Sequence, residues 1–393
     1  MQAAPDVLQV DDRSPPDEGP SRHVSRARLL ARLLVIPLLW ACGDAPTGPS
    51  TDLPAQIVDL SLGWSTAEAT RVGFDGRRLG DALEHARDLD FLRGLVIARN
   101  GYLVHEEYYG GHTRDSLADV RSVTKAVIST LVGIAIRDGL FSGVEQSLGE
   151  LLPASAATLE PEKRAVSLLH LLTMTSGFDW HESGPVGYSD WYFAADHIRY
   201  LTDRPLSDAP GTRFNYNSAA AHLLSVVLTE QSGTATAEFA RIHLLEPIGI
   251  DSTRWERLSG GYANGGSGFA VRPRDLARLG QLFLQHGASG IRQVVPTAWT
   301  LEATTPRFDA FAADDPLRSL NYGYLWWIEP VAPHPAFFAW GYGGQFLYIV
   351  PSLNLVIVTT SEWRVAGTAG TDQAARALSL IIDHIIPAAI ALD

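Results

Sequence analysis

The chain has 393 residues, 46% of them hydrophobic and 19% charged, which is the composition of a folded protein rather than a disordered one. That length holds one large domain or two closely joined ones. A formal net charge of −13, with no basic cluster beyond the N-terminal region, argues against nucleic acid as a partner, and no apolar run in the body reaches the roughly 18 residues of a membrane span.

Residues 1–20 are rich in Pro, Asp and Glu and read either as disordered or as preceding the true translation start. Arg22, Arg26, Arg28 and Arg32 then lead into the apolar run Leu33–Ala41 and the single cysteine, Cys42. A basic segment, a short apolar segment and a small residue are the layout of an export signal. Leu39-Trp40-Ala41-Cys42 also resembles a bacterial lipobox, in which the cysteine is lipidated; Trp40 is bulkier than that pattern usually carries. Gly43–Ser50 has the composition of a tether. The expected organisation is therefore residues 1–50 as N-terminal tail, export or lipoprotein signal and tether, and 51–393 as the folded domain. Its expected location is outside the cytoplasm, periplasmic or at the cell surface, held by a lipid on Cys42.

In the body, Asp81–Asp90 reads as a short helix. Gly94–Arg99, Asn100-Gly101 and Tyr102–Tyr108 read as a β-hairpin with a tight turn. An apolar helix runs over Thr124–Arg137 and stops at Gly139, followed by helices at Leu168–Met174, Ala219–Gln231, Thr236–Ile242 and Arg274–His286. Tyr322–Ile328, Ala336–Trp340, Phe346–Val350 and Leu355–Thr360 read as strands, and Gln373–Ile386 as a closing helix. Strands at both ends of a helical middle predict an α/β (α+β) fold. Its antiparallel sheet is built from the two chain ends and covered by helices, with a helical insertion over about 113–320.

Of the 31 basic residues only Lys125 and Lys163 are lysines. Arginine serves for charge and solubility but cannot give up its proton near neutral pH, so a retained lysine is a candidate base. Lys125 stands three residues after Ser122 in Arg121-Ser122-Val123-Thr124-Lys125, a spacing that puts hydroxyl and amine on one helix face. Ser122 reads as a nucleophile and Lys125 as its activator, with burial as the means of lowering the lysine's pKa. In Phe214-Asn215-Tyr216-Asn217-Ser218, Tyr216 lies in a loop before an apolar helix and is a candidate proton relay. Trp340-Gly341-Tyr342-Gly343-Gly344-Gln345 follows a strand, and its glycines admit a substrate close to the backbone, as an oxyanion site requires.

In that order, Ser122-x-x-Lys125, Tyr216-x-Ser218 and the glycine-rich strand edge resemble the penicillin-recognising serine hydrolases. The nearer group is the class C β-lactamase-related one, which includes esterases, D-aminopeptidases and 6-aminohexanoate-dimer hydrolase. Leu171–Gly177, Pro273–Arg278 and Tyr322–Trp327 carry the likeness further, so that it spans about residues 60–390. The resemblance implies the β-lactamase/transpeptidase-like fold and an acyl-enzyme mechanism with no metal or other cofactor. Ser122 is then the attacking group, Lys125 its proton acceptor and Tyr216 the relay to the leaving group. The oxyanion hole would be formed by the backbone N–H groups of Ser122 and Tyr342, with Gly343 and Gly344 as neighbouring choices for the second donor.

Two departures bear on substrate. Ser218 stands where many relatives carry Asn, and Ala339-Trp340-Gly341 lacks the Lys or His that penicillin-binding members place two residues before the glycine. Without that cation the site is less suited to the carboxylate of a β-lactam, and the esterase and 6-aminohexanoate-dimer hydrolase branch fits better. The aromatic stretch holding Trp180, Tyr188, Trp191, Tyr192 and Phe193 is either a wall over the acyl pocket, together with Trp340, or internal packing. The expected substrate is a small ester or amide, and no protein partner is inferred. A β-lactamase or D-Ala-D-Ala-type carboxypeptidase, and a non-catalytic penicillin-binding-like sensor, are the rival readings.

Overall fold

The computed structural model describes residues 53–152, 157–183, 187–310, 320–330, 333–365 and 367–390. Cys42 and the N-terminal segment around it lie outside them. Strands β1 (Leu92–Arg99) and β2 (Tyr102–Tyr108) form the hairpin, with Asn100 and Gly101 both at positive φ, 56° and 87°, as a tight turn between right-twisted strands requires. Five short strands follow in the middle of the described chain: β3 (Ala118–Asp119), β4 (Thr253–Trp255), β5 (Phe269–Val271), β6 (Ala288–Ser289) and β7 (Arg292–Gln293), the last two paired with each other. The C-terminal part supplies β8 (Phe308–Asp309), β9 (Asn321–Tyr322), β10 (Trp327–Glu329), β11 (Ala336–Gly341), β12 (Gln345–Val350) and β13 (Leu355–Ser361).

Among the described residues the main sheet has eight antiparallel strands in the order β2-β1-β13-β12-β11-β10-β9-β8. The early and late strands of the sheet meet where β1 pairs with β13, Leu95 opposite Thr359 and Ile97 opposite Ile357. Every residue of β12 and β13 is buried, which explains why these strands read as unbroken apolar runs rather than alternating ones. The helix Pro273–Leu284 lies on β1, β12 and β13. It comes close because Gly280 has no side chain: a Cβ there would stand 2.6 Å from Val356 and 2.9 Å from Leu347.

The helical part is organised by two buried helices, α2 (Thr124–Arg137) and the helix Ser218–Ser232, which pack on each other. From Thr124 to Ala135 every residue of α2 is buried, so the helix has no polar face and belongs to the core. A Cβ on Gly133 would fall 2.3 Å from the Trp299 ring, so this glycine lets the helix Thr297–Ala303 nest against α2.

Several boundaries differ from the sequence reading. The first helix is Gly76–Arg87 rather than Asp81–Asp90, started by the Asp75 carboxylate, which accepts a hydrogen bond from the Arg78 N–H at 3.0 Å. The expected strand Tyr322–Ile328 is broken into β9 and β10. Between them Leu325 takes φ 63° and donates its N–H to Leu172 O at 2.9 Å, while Tyr324 donates to Ala303 O at 3.0 Å. An all-apolar run carries no alternation to mark that break. The closing helix starts at Ala369 rather than Gln373 and passes into a wider turn at Leu380.

Candidate active site

Ser122 lies in a single 3-10 turn, Arg121–Val123, that runs into α2. The turn is held from three sides. Asp119 accepts the Arg121 N–H at 3.1 Å, Thr124 Oγ1 donates to Arg121 O at 2.5 Å, and the same oxygen accepts the Phe269 N–H of β5 at 3.1 Å. Arg121 adopts φ 50°, a conformation uncommon for any residue but glycine and one that the surrounding contacts must impose. The end of β11 closes on this turn: a Cβ on Gly341 would be 2.3 Å from Val120 O, so only glycine admits the approach.

Lys125 is 1% exposed, and its Nζ has three oxygen partners: Ser122 Oγ at 3.0 Å, Ser218 Oγ at 2.9 Å and Gly266 O at 2.7 Å. Burial pulls its pKa down to about 7; the Glu182 carboxylate works the other way, and Arg121 adds to the lowering. Tyr216 is placed by Asn215, whose side chain donates to Trp180 O at 3.0 Å, and by Asn217, which caps the following helix by accepting the Ala220 N–H at 2.9 Å. The Tyr216 ring stacks on Trp327 at 5.5 Å and stands 4.8 Å from Lys125 Nζ. Burial, helped by Glu182, pushes the Tyr216 hydroxyl well above its ordinary pKa, while a hydrogen bond with Ser122 opposes this. The hydroxyl therefore keeps its proton at neutral pH.

Ser218, in the first turn of its helix, accepts from Lys125 and donates its own O–H to Glu182. Glu182 also accepts the Ser218 N–H at 3.0 Å and the Trp180 Nε1–H at 2.7 Å. Glu182, Gly266 and Arg121 were not anticipated from the sequence. Gly266 sits in Gly265-Gly266-Ser267-Gly268, a glycine cluster whose signal was visible without a role; a lone glutamate in an aromatic loop carries no signal.

The structure thus gathers Ser122, Lys125, Tyr216 and Ser218 into one cluster with Gly341 against its turn. Tyr188 stands beside them, its hydroxyl 2.6 Å from Ser267 Oγ and accepting from Arg121 Nη2 at 3.1 Å. Trp340 is half-buried, parallel to Phe346 at 6.1 Å. Tyr342 directs its side chain to the surface, 40% exposed, with its hydroxyl 3.4 Å from Val365 O and from Gly367 O. Trp191 has to be withdrawn from the expected wall. It is fully buried, edge-on to Trp180, His197 and His222, with its Nε1–H donated to His197 O at 3.1 Å. Trp180 is sealed in the same way. Both indoles build the core of the helical part because a ring that size adds most when wholly removed from water.

A hydroxyl, an amine neutral in half its population near pH 7 and a tyrosine that retains its proton form a set able to run acyl transfer. Comparisons with known proteins bear on the family and the fold. The family model described as Beta-lactamase matches residues 67–380. The 6-aminohexanoate-dimer hydrolase of Paenarthrobacter ureafaciens is 25% identical over 298 residues, covering 68% of this chain and 72% of the relative. Esterase EstB of Burkholderia gladioli is 29% identical over 178 residues, 39% of this chain and 44% of the esterase. Among solved structures, the octameric penicillin-binding protein homologue of Pyrococcus abyssi superimposes with a TM-score of 0.61 at 16% identity, over 78% of this chain and 77% of that one, a likeness of fold. With a matched span that takes in both ends of the sheet and the whole helical part, the chain belongs to the Beta-lactamase family of serine hydrolases.

Proposed function

We propose that this protein hydrolyses small esters or linear amides through an acyl-enzyme on Ser122. The observation that carries this reading is the Lys125 amine, 3.0 Å from Ser122 Oγ and buried, with its pKa brought to about 7. Neutral Lys125 takes the Ser122 proton as Oγ attacks the carbonyl carbon. The oxyanion that forms lies at the start of α2, where the Ser122 N–H and the Tyr342 N–H of the β11 edge are its donors. Tyr216, still protonated, gives its proton to the leaving alcohol or amine and is reprotonated from the Lys125 ammonium. The bond to the leaving group breaks as the ester to Ser122 is completed. Water then attacks this ester, the same groups move the proton back, and the acid is released.

Substrate class follows from the wall of the cleft. Ala339, two residues before Gly341, stands where a carboxylate-binding cation would be needed, with Trp340 beside it, which favours neutral acyl groups over β-lactams and peptidoglycan stems. The names of two relatives, an amide hydrolase and an esterase, are in keeping with ester or amide substrates. In this reading Cys42 is the lipidated residue that tethers an exported enzyme to a bacterial membrane, which mass spectrometry of the mature N-terminus checks directly.

The functional test is p-nitrophenyl acetate turnover by wild type and Ser122→Ala, beside nitrocefin. Ester hydrolysis should fall by about 1000-fold or more in the variant, nitrocefin should be a poor substrate for both, and equal ester rates would remove the enzyme reading in favour of a sensor.

A further inference from the structure

We infer that Glu182 is a positioning residue for the proposed hydrolysis: acting through the Ser218 hydroxyl, it decides which side of Lys125 Nζ carries the free electron pair and turns that pair toward Ser122. The inference rests on the reading of Lys125 as base and adds what makes it a directed one.

A neutral amine has two N–H bonds and one electron pair, and Lys125 Nζ has three oxygen neighbours. Gly266 O is a carbonyl and can only accept, so one N–H belongs to it. Ser218 Oγ is ambiguous by itself, since a hydroxyl can donate or accept. Were it to donate to Lys125, it would occupy the electron pair and leave an N–H facing Ser122, and the base would be misdirected. Glu182 removes the ambiguity. An ionised carboxylate only accepts; Glu182 takes the Ser218 O–H and is fixed by the Ser218 N–H at 3.0 Å and Trp180 Nε1–H at 2.7 Å. With its proton so committed, Ser218 Oγ can only accept from Lys125, and the second N–H belongs to it. The electron pair is left with a single direction, the 3.0 Å contact to Ser122 Oγ.

In this chain the serine at position 218 depends on the acid at 182 for that role. An amide oxygen at position 218 accepts by constitution and needs no third group to make it do so. Serine accepts in one orientation only, and something must hold that orientation.

The test is the pH dependence of p-nitrophenyl acetate hydrolysis for wild type, Glu182→Gln, Ser218→Ala, Ser218→Asn and the double variant Ser218→Asn/Glu182→Gln. Ser122→Ala and Lys125→Arg serve as controls, and each variant's fold is checked by thermal unfolding. Glu182→Gln should lower kcat on the pH plateau by about tenfold or more with little change in KM. Its acid limb should move to lower pH, because the carboxylate that favours the ammonium is gone. Neither effect on the profile is expected of a residue that only packs. Ser218→Asn/Glu182→Gln should recover most of the lost kcat and lie well above Glu182→Gln alone. If Glu182→Gln does not fold, Ser218→Ala decides, and it should show the same fall in kcat. An unaltered plateau in the folded Glu182→Gln, or in Ser218→Ala where that variant decides, overturns the proposal, and so does a double variant no better than Glu182→Gln. Full activity in Ser122→Ala or Lys125→Arg would instead remove the underlying assignment of nucleophile and base. Dead controls beside a fully active Glu182→Gln would remove only the role given to Glu182.

Discussion

Lys125 is buried with three oxygen partners, and the task proposed for it is one that arginine cannot perform. An arginine there keeps the positive charge but has no electron pair to offer near neutral pH. Acylation should therefore rise with pH through about 7, where half of the amine is neutral, and level off above it. Lys125→Arg should lose about 100-fold or more of kcat/KM at every pH between 6 and 9, as general-base catalysis supplies factors of that order. Single-turnover acylation across that range measures both; an active arginine variant would mean that charge alone is required. Ser122 and Lys125 were legible because their spacing and scarcity are properties of the sequence. Glu182 was not, because its role depends on a fold that brings it to Ser218 from 36 residues away.

At the scale of elements, the site is a seam between the turn before α2 and the edge of β11. Gly341 is the point of contact, and its side-chain position is already filled by Val120 O. Gly341→Ala should push β11 from the turn, destabilise the fold by about 1–3 kcal/mol and lower kcat more than it raises KM, as the oxyanion donor is displaced from its partner. Urea unfolding with steady-state kinetics separates the two effects; wild-type values in both would place the oxyanion donors elsewhere. Here the sequence was readable to different depths. The hairpin of β1 and β2 and the span of α2 agree with expectation, since an Asn-Gly turn and a mostly apolar helix stopped at Gly139 are local signals. The break between β9 and β10 is fixed by hydrogen bonds to Leu172 and Ala303, which are distant in sequence, so nothing local announced it. Trp191 failed for a related reason: an aromatic residue beside a cleft and one beneath it look alike until burial is known.

For the molecule as a whole, the buried amine is a cost to stability. The unfolded chain holds its Lys125 proton up to about pH 10.5, the folded chain only to about 7. The penalty is complete below pH 7 and fades as pH rises toward 10.5, because the proton that only the unfolded chain still holds is bound less and less favourably. Lys125→Met should thus stabilise the protein by on the order of 2–4 kcal/mol at pH 6 and by clearly less at pH 9.5. Denaturant titrations at the two pH values measure the difference, and an equal gain at both would mean that the lysine is not held neutral. A second consequence comes from the pairing of β1 with β13. Ser122 and Lys125 leave the ribosome early, whereas the strands that frame them are the last to be made. Until β13 has been made, β1 lacks its partner strand, so a chain stopped before β13 should be inert in the ester assay.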